Sequence, residues 1–370
     1  MFLNTFREKE VAYMVSKSLS TSRTDVERCL SKDTYNVDDL VYLLSPASSY
    51  YLEDIAKKSL QITQQRFGRS IQLFAPLYLS NECYNHCTYC GFGIQHNYKR
   101  ITLSTDEILK EADHLLSQGI SHILLLTGEA PKKVGRNYIS KAIQAIRSKC
   151  SHIGIEIQPM SYEDYRFLIT SGADSLTLYQ ETYHSSSYAK YHLSGFKKSY
   201  QNRLIALENG AKAGFNAINI GVLLGLYDWR FDCFSLAKHL TYLYKYFWKN
   251  EYAVSFPRIT DMYGSFNTLY PCSEADLVKV ICSFRLVFPD CGITLSTREA
   301  PSFRDGITPI AITSMSAASV TSPGGYVCNK SVEQFETHDK RSVSEVVSFL
   351  KSKNIDPVFK NWDYTLSNHQ

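Results

Sequence analysis

From residue 70 onward, short runs of apolar residues alternate with longer stretches in which apolar residues recur at helical spacing. One helical stretch begins at a capping box formed by Ser104 and Glu107 and ends at Gly119. The run HILLLT, at residues 122–127, follows it and predicts a strand buried on both faces. The same order of helix, glycine and apolar strand returns twice further along the chain. This alternation favours a parallel sheet covered by helices.

Eight runs carry the strand signal, and eight strands alternating with helices predict an α/β fold, a closed (βα)8 TIM-type barrel. The predicted strands are 71–80, 122–127, 153–158, 174–180, 217–225, 252–256, 292–297 and 310–316. A doubly wound open sheet has the same alternation and stays open as an alternative. In a barrel, polar residues that follow the strands meet at one mouth, where catalytic groups gather.

The alternation covers only part of the chain, which therefore divides into three predicted regions. Residues 1–69 lack it but contain helical stretches, so they predict an N-terminal helical extension. Residues 70–325 form the predicted barrel. Residues 326–370 predict a C-terminal tail, packed on the barrel, with one helix at 342–353.

The composition is that of an ordinary globular protein: 370 residues, of which 44% are hydrophobic and 21% are charged. A net charge of +4 on this length gives no reason to expect nucleic acid as a partner. No apolar run approaches the roughly 20 residues that a membrane helix needs. The first residues carry acidic side chains and lack the apolar segment of a secretory signal. We therefore expect a soluble cytoplasmic protein.

The stretch CYNHCTYC places three cysteines, Cys83, Cys87 and Cys90, within eight residues, whereas the other seven are scattered. Thiolates are soft ligands that select zinc, copper(I) or an iron–sulfur cluster. A structural zinc site needs four ligands and no second CxxC pair occurs, although His86 or His96 could complete the set. A 4Fe–4S cluster normally takes four thiolates, so three leave one iron open to another ligand. Zinc and unrelated buried or redox thiols remain alternatives.

Further motifs accompany the cysteines, mostly where predicted strands end. In chain order they are SPAS, PLYLSNECYNHCTYCGF, LLLTGEAPKKVG, EIQP, YQETYH, SFPR, LSTRE, PGGY and KNWD, from about residue 40 to about residue 365. On these motifs the chain resembles the 2-iminoacetate synthases, radical S-adenosylmethionine (SAM) enzymes that act as tyrosine lyases in bacterial thiamine-thiazole biosynthesis. The spacing CxxxCxxC, with the aromatic Tyr89 before the last cysteine, is the pattern of the radical SAM superfamily.

The resemblance implies two cofactors: SAM, and a 4Fe–4S cluster with three cysteine ligands whose open iron binds the SAM amino and carboxylate groups. It implies that a 5′-deoxyadenosyl radical takes a hydrogen from the amino group of L-tyrosine. Cleavage of the Cα–Cβ bond then gives 2-iminoacetate, also called dehydroglycine, and p-cresol. The implied partners are thiazole synthase, which receives the imine, and a flavodoxin or ferredoxin as reductant, with neither nucleic acid nor membrane.

The resemblance also assigns residues to the two cofactors. The expected metal ligands are Cys83, Cys87 and Cys90. The residues expected to contact SAM are Tyr89, Thr127, Gly128, Glu129, Gln158, Gln180 and Arg203. Residues 127–129 occupy the place of a GGE motif whose backbone and acid meet the SAM amino group. The guanidinium of Arg203 suits the SAM carboxylate, and a solvated helix arginine is the alternative.

The expected catalytic residues are Arg298, Ser319 and Glu181. Arg298 follows the seventh predicted strand and is expected to bind the carboxylate of the amino-acid substrate, because a buried arginine is costly unless it is paired. Ser319, and less directly Ser316, is expected to help hold that carboxylate. The alternative for Arg298 is a structural ion pair with Glu299 or Asp305. Glu181, like the two glutamines, is expected to meet the SAM ribose or the substrate.

Three other functions remain as alternatives. The tyrosine lyase of hydrogenase maturation shares the barrel but adds cysteines for a second cluster, and this chain has none between Cys328 and Gln370, so that chemistry is disfavoured. The tryptophan lyase of indolic-acid formation is similar and differs in its product. A non-enzymatic barrel protein would bind zinc in place of iron.

Overall fold

The computed structural model describes residues 1–259, 266, 268–328 and 331–359, and its centre is a barrel of eight parallel strands. The strands in chain order are β1 (Ser70–Ser80), β2 (His86–Cys87), β3 (His122–Thr127), β4 (His152–Glu156), β5 (Ser175–Glu181), β6 (His192–Ser194), β7 (Ala217–Val222), β8 (Glu251–Ser255), β9 (Gly292–Leu295), β10 (Ser314–Ser316) and β11 (Asp356–Val358). The barrel order is β1, β3, β4, β5, β7, β8, β9 and β10, and β10 pairs with β1. This closure confirms the predicted (βα)8 barrel and excludes the open doubly wound sheet.

Helices precede the barrel and fill most of the connections between its strands. They are α1 (Phe2–Thr5), α2 (Glu8–Leu19), α3 (Arg23–Leu30), α4 (Leu40–Leu43), α5 (Leu52–Phe67), α6 (Thr105–Ser117), α7 (Arg136–Ile146), α8 (Tyr162–Thr170), α9 (Ser185–Tyr191), α10 (Tyr200–Ala213), α11 (Trp229–Tyr246), α12 (Glu274–Val287), α13 (Pro301–Ala311) and α14 (Val343–Ser352). Short 3-10 helices lie at Val37–Asp39, Ala47–Tyr51 and Phe196–Lys198. Helices α1 to α5 lie where the helical extension is predicted, and the exact division at residues 69 and 325 stays a prediction. None of the described helices combines the length and the apolar character needed to cross a bilayer.

The local signals that predict α6 operate as expected. The Ser104 side chain accepts a hydrogen bond from the Glu107 amide, and the Glu107 carboxylate accepts one from the Ser104 amide. Gly119 has a φ of 89°, a left-handed conformation that glycine adopts without a steric cost. The following strand β3 therefore enters the barrel where the sequence predicts it.

Alternate residues of each barrel strand face opposite sides, and this decides what the interior contains. On β3, Ile123 and Leu125 are fully buried in the core between the barrel and the helices. Leu124 and Leu126 point inward and line a cavity inside the barrel. The main apolar core is thus the layer outside the strands, and the interior keeps space for a ligand.

Some predicted strand ends are wrong. The apolar residues 310–311 complete α13, and β10 begins only at Ser314, because a short apolar run fits the last turn of a helix as well as a strand. The strand predicted at 217–225 ends at Val222. Three short strands were not predicted: β2 and β6, which pair antiparallel, and β11, which pairs with the start of β1. The motif KNWD lies outside the described residues.

The C-terminal region contacts the barrel at both ends. The helix predicted at 342–353 is confirmed as α14, and β11 after it pairs with β1 at the amino end of the barrel. Before α14, the Gln334 side chain binds the Tyr78 hydroxyl at 2.7 Å, and its backbone oxygen accepts a bond from the Gly91 amide. This segment, 331–339, lies at the mouth where the predicted cysteine loop also lies.

Candidate active site

The loop that contains Cys83, Cys87 and Cys90 leaves the carboxyl end of β1. Cys87 is buried and the other two are partly buried, and all three are free thiols. Burial raises the pKa of the Cys83 thiol to about 11 and also raises that of Cys87. Thiols in such surroundings ionise readily only when a cation or metal stabilises the thiolate. The loop therefore suits a metal centre better than a free nucleophile.

The surrounding backbone holds the loop in place. The Arg100 guanidinium donates to the backbone oxygens of Asn81, Phe92 and Gly93, which clamps both sides of the loop. The Gln334 amide nitrogen lies 3.9 Å from the Cys90 sulfur. Within the described part of the chain, no three His, Cys, Asp or Glu side chains converge closely enough to share one metal ion.

Gly128 follows β3 and lies directly against the cysteine loop. Its amide donates to the Ser80 backbone oxygen at 3.0 Å. A Cβ at this position would lie 2.3 Å from the backbone oxygen of Glu82 and 3.0 Å from the Cys83 Cβ, so only glycine allows this approach. The neighbouring Thr127 hydroxyl is buried and has no hydrogen-bond partner among the described residues.

A buried network of alternating charges adjoins this glycine. The Arg203 guanidinium lies 2.8 Å from the Glu129 carboxylate and 3.4 Å from the Glu181 carboxylate. The Lys197 ammonium lies 2.6 Å from Glu181 Oε1, the same oxygen that Arg203 contacts. Burial alone would raise the pKa of Glu181, but Lys197 and Arg203 lower it. Arg203 is buried, so the alternative of a solvated helix arginine is wrong.

The backbone of Glu181 is itself unusual. Its φ of 71° lies in the left-handed region, which is uncommon for a residue with a side chain. The pairing of β5 with β7 shifts register between Tyr179 and Glu181. The shift places Tyr179 and Glu181 on the cavity wall, whereas Gln180 is fully buried and does not line the cavity. Strained positions of this kind occur at functional sites when the surrounding contacts maintain them.

Tyr89, the aromatic residue of the cysteine loop, is fixed by a buried histidine. Its hydroxyl lies 2.8 Å from His192 Nε2, and His192 Nδ1 donates to the Tyr188 backbone oxygen. Burial, followed by the charge of Lys197, lowers the pKa of His192 to about 3, so the ring is neutral and its Nε2 accepts a hydrogen bond from the Tyr89 hydroxyl. The Tyr89 ring lines the cavity with the Lys197 ammonium 5.8 Å from its centroid.

The cavity inside the barrel has a volume of about 690 Å³ and opens beside the cysteine loop. Predicted site residues on its wall are Tyr89, Cys90, Glu181, Arg298 and Ser319. Gln158 and Gln180 do not line it, although both are buried and Gln180 has neither amide atom bonded within the described residues. The structure therefore brings the cysteine loop, the charged network and Arg298 to one mouth, and it leaves the two glutamines behind the wall.

Arg298 lies beyond the end of β9, and its guanidinium forms no ion pair within the described residues. Glu299 instead binds Arg258, and Asp305 binds Arg341 at 2.9 Å, so the predicted alternative of an ion pair with either acid is wrong. The Arg298 Nε is buried without a partner. Burial lowers the pKa of Arg298, ahead of the opposing effects of the tyrosines and carboxylates nearby. An anion in the cavity would satisfy this cation.

Two serines were expected beside Arg298, and they differ. The Ser319 hydroxyl lines the cavity and has no partner among the described residues, so it is available to a ligand. The Ser316 hydroxyl already accepts a hydrogen bond from the Thr297 amide at 3.1 Å. Ser316 also lines the cavity and its hydroxyl proton stays available, so the role predicted for it at the substrate carboxylate stays a prediction.

Comparison with known proteins identifies the family. The radical SAM superfamily model matches residues 77–232, and the model of the Biotin and Thiamin Synthesis associated domain matches residues 265–356. The 2-iminoacetate synthase of Salmonella typhimurium is 44% identical over 341 residues, which are 92% of this chain and 90% of that protein. The chain belongs to the 2-iminoacetate synthase family. The 2-iminoacetate synthase of Escherichia coli is 42% identical over 92% of this chain and 90% of its own.

A solved structure agrees with this membership at the level of the fold. The crystal structure of HydG, a maturase of the FeFe-hydrogenase, matches with a TM-score of 0.91 at 28% identity, covering 97% of this chain and 81% of that chain. As a member of the 2-iminoacetate synthase family, the chain is a radical SAM enzyme, and its family implies a 4Fe–4S cluster and SAM as cofactors.

Many residues on the cavity wall of this 2-iminoacetate synthase family member were not predicted as site residues, and four of them lie near the predicted ones: Glu156, Lys197, Gln334 and Phe335. Glu156 had a signal, since it lies within the motif EIQP and on the inward face of a strand. Lys197 follows the turn at Gly195, and no hydrophobic periodicity there predicts that a lysine side chain is buried. Gln334 and Phe335 come from a segment without periodicity, so only the tertiary structure locates them.

Proposed function

We propose that the protein cleaves the Cα–Cβ bond of L-tyrosine to give 2-iminoacetate and p-cresol, for thiamine-thiazole biosynthesis. The observation that carries this assignment is the unpaired guanidinium of Arg298 on the wall of the barrel cavity, beside a loop of three thiols. An amino-acid carboxylate is the anion of matching size and planarity for a guanidinium. Ser319, with its free hydroxyl, supplies a second donor for that carboxylate.

The residues at the mouth fit the implied cofactors. Cys83, Cys87 and Cys90 would hold a 4Fe–4S cluster as three thiolates, leaving one iron for the SAM amino and carboxylate groups. The close approach at Gly128 and the unsatisfied Thr127 hydroxyl leave backbone and side-chain groups beside the cysteine loop for a polar ligand. When bound, the cluster and SAM would supply a 5′-deoxyadenosyl radical, generated with one electron from the reductant, as the acceptor of a hydrogen atom from the substrate amino group.

The charged network matches the zwitterionic end of SAM. Glu129 and Arg203, 2.8 Å apart, present one carboxylate and one guanidinium to an ammonium and a carboxylate. We assign the SAM carboxylate to Arg203 and the SAM amino group to Glu129 with the backbone at residues 127–128. Tyr89 packs beside this end, and Gln158, Gln180 and Glu181 stay predicted contacts of the ribose or the substrate.

The remaining task of the chain is to position the substrate and to exclude water. The barrel wall surrounds the cavity, and the segment 331–339 lies at its mouth. Holding the amino nitrogen at a fixed distance and orientation to the radical makes the hydrogen transfer effectively unimolecular and so lowers its barrier. Exclusion of water also protects the imine product until it leaves.

The proposed partners follow from the chemistry of the reaction. An imine hydrolyses in water, so we expect direct transfer to thiazole synthase, which consumes it. A one-electron donor, flavodoxin or ferredoxin, is expected to reduce the cluster in the cytoplasm.

The decisive test is product analysis. The enzyme, reconstituted anaerobically with iron and sulfide, is incubated with reductant, SAM and L-tyrosine, and we expect 5′-deoxyadenosine, p-cresol and glyoxylate from hydrolysis of the imine. Formation of 5′-deoxyadenosine without p-cresol would refute the tyrosine assignment. An indole product from L-tryptophan in a parallel reaction would support the tryptophan lyase instead.

A further inference from the structure

Glu156, the last residue of β4, faces the cavity and has no part in the function proposed above. Within the described residues its carboxylate forms no hydrogen bond and no ion pair. The neighbouring acids differ, since Glu181 is paired with Lys197 and Glu299 with Arg258. An enclosed carboxyl without a partner is costly to the fold, so its presence calls for a ligand.

Glu156 and Arg298 reach into the cavity from opposite walls. In the closed barrel, β4 and β9 are four strands apart in either direction, which is the largest separation that eight strands allow. Arg298 lies beyond the last residue of β9, Leu295, whereas Glu156 is still within β4. The guanidinium is therefore nearer the mouth and the carboxyl faces it from the other side.

The wall between the two groups suits an aromatic ring. The side chains of Leu124, Leu126, Tyr78 and Tyr179 line the same cavity as Glu156. Aliphatic and aromatic surfaces of this kind bury a benzene ring favourably. A ligand that spans the space thus needs an anionic end, an aromatic middle and a polar group at the far end.

We propose that Glu156 accepts a hydrogen bond from the phenolic hydroxyl of the substrate, and so selects tyrosine against aromatic amino acids that lack this hydroxyl. This inference rests on the proposed function, which gives tyrosine as the substrate with its carboxylate on Arg298. The substrate ammonium is next to that carboxylate and therefore stays near Arg298, whereas the para hydroxyl is carried to the opposite wall. Phenylalanine would leave the Glu156 carboxylate buried without a partner, which is the strongest form of discrimination available to a binding site.

The electrostatics of the site agree with this role. Burial, followed by the repulsion of Glu181, raises the pKa of the Glu156 carboxyl to about 7, while Lys197, Arg203 and Arg298 oppose the rise. The group is therefore substantially ionised just above neutral pH, and an ionised carboxylate accepts a shorter and stronger hydrogen bond than a neutral group.

The test measures dissociation constants on the reconstituted, SAM-loaded enzyme under anaerobic conditions. Three ligands are compared: L-tyrosine, L-phenylalanine, and 3-(4-hydroxyphenyl)propionate, which keeps the hydroxyl and lacks the amino group. The variants are Glu156→Gln and Glu156→Leu. The matched control is Asp290→Asn, which removes a carboxylate that also lines the cavity but whose side chain is 69% exposed and paired with Arg66.

We expect the preference of the enzyme for tyrosine over phenylalanine to fall at least about 100-fold in Glu156→Leu and less in Glu156→Gln, because the amide oxygen still accepts a bond. Affinity for the hydroxyphenylpropionate should fall in parallel with that for tyrosine, and Asp290→Asn should leave all ratios unchanged. If Glu156→Leu does not retain the cluster, Glu156→Gln decides the question.

Two outcomes would overturn the inference. Equal losses for tyrosine and phenylalanine, with no loss for the hydroxyphenylpropionate, would assign Glu156 to the substrate ammonium. An unchanged preference for tyrosine over phenylalanine in both Glu156→Gln and Glu156→Leu would show that Glu156 does not contact the substrate, even if the wild type forms p-cresol. Conversely, Glu156-dependent selectivity in an enzyme that forms no p-cresol would refute the proposed function alone.

Discussion

The guanidinium of Arg298 lies over the ring of Phe335, with its central carbon 3.7 Å from the ring centroid. A ring face attracts a cation without neutralising it, so the arginine is held in place while its charge remains available to a ligand. Phe335 belongs to the segment 331–339, which also contacts the cysteine loop through Gln334. The C-terminal region thus supports the predicted substrate site and the predicted metal site together.

Replacing either member of this pair should weaken tyrosine binding. Arg298→Lys removes the planar pair of donors, and we expect kcat/KM for tyrosine to fall by about 30-fold or more, mainly through KM. Phe335→Leu removes only the ring face, and we expect a smaller rise in KM, about 2- to 30-fold. Phe335→Tyr keeps the ring face and serves as the control. Steady-state p-cresol formation measures all three, and an unchanged KM in Arg298→Lys would contradict the assignment of the substrate carboxylate.

The close approach at Gly128 gives a prediction about stability and cofactor loading. In Gly128→Ala the new methyl group would meet the Glu82 backbone oxygen at 2.3 Å, and we expect a loss of about 1–3 kcal/mol in the free energy of unfolding with reduced iron content. Gly306→Ala is the matched control, because Gly306 lies in α13 with nothing within 4 Å of its added Cβ. That substitution should stabilise the helix by about 0.5–1 kcal/mol. Thermal unfolding and iron analysis measure the two variants. Equal stability and equal iron content in Gly128→Ala and Gly306→Ala would contradict a role for the close contact at Gly128.

The three loop cysteines should differ from the scattered ones in metal content. Cys87→Ala is expected to abolish the visible absorption of a reconstituted 4Fe–4S cluster and the cleavage of SAM. Cys282→Ala, at a fully buried cysteine of α12, should retain both. Iron and sulfide per chain measure the difference. Retention of SAM cleavage in Cys87→Ala would exclude the three-cysteine cluster.

The raised pKa of Glu156 predicts a pH-dependent contribution to stability. The folded protein holds this proton up to a pH of about 7, whereas a free glutamate has a pKa of 4.5. Wild type should therefore lose stability relative to Glu156→Gln as the pH rises from about 4.5 through about 7. Other titrating groups, such as Asp232 with a pKa raised by burial to about 8, are present in both proteins and cancel. The difference in melting temperature between wild type and Glu156→Gln, measured at several pH values, should change with pH over this window. A difference that stays constant would mean that the Glu156 carboxyl is exposed to solvent and that its pKa is not raised.

Much of the fold and part of the site follow from the sequence alone. The eight barrel strands, the cap of α6 at Ser104 and the single loop of three cysteines are local patterns. Hydrophobic periodicity depends only on neighbouring residues, and ligand spacing depends only on a short stretch of chain. Strand ends were predicted less well, as at β10, because a short apolar run does not by itself distinguish a strand from a helical turn.

The tertiary structure alone decided which polar groups are paired and which are free. Glu129 and Arg203 are 74 residues apart in sequence yet form an ion pair, and Arg298 is left without one because Glu299 binds Arg258. Local sequence cannot specify these choices, since the closure of the barrel brings the partners together. For the same reason, only the closed barrel places Glu156 opposite Arg298. The sequence by itself determined which metal-ligating and charged residues are available. The closed barrel determined which of these groups are paired with each other and which are free to bind a ligand.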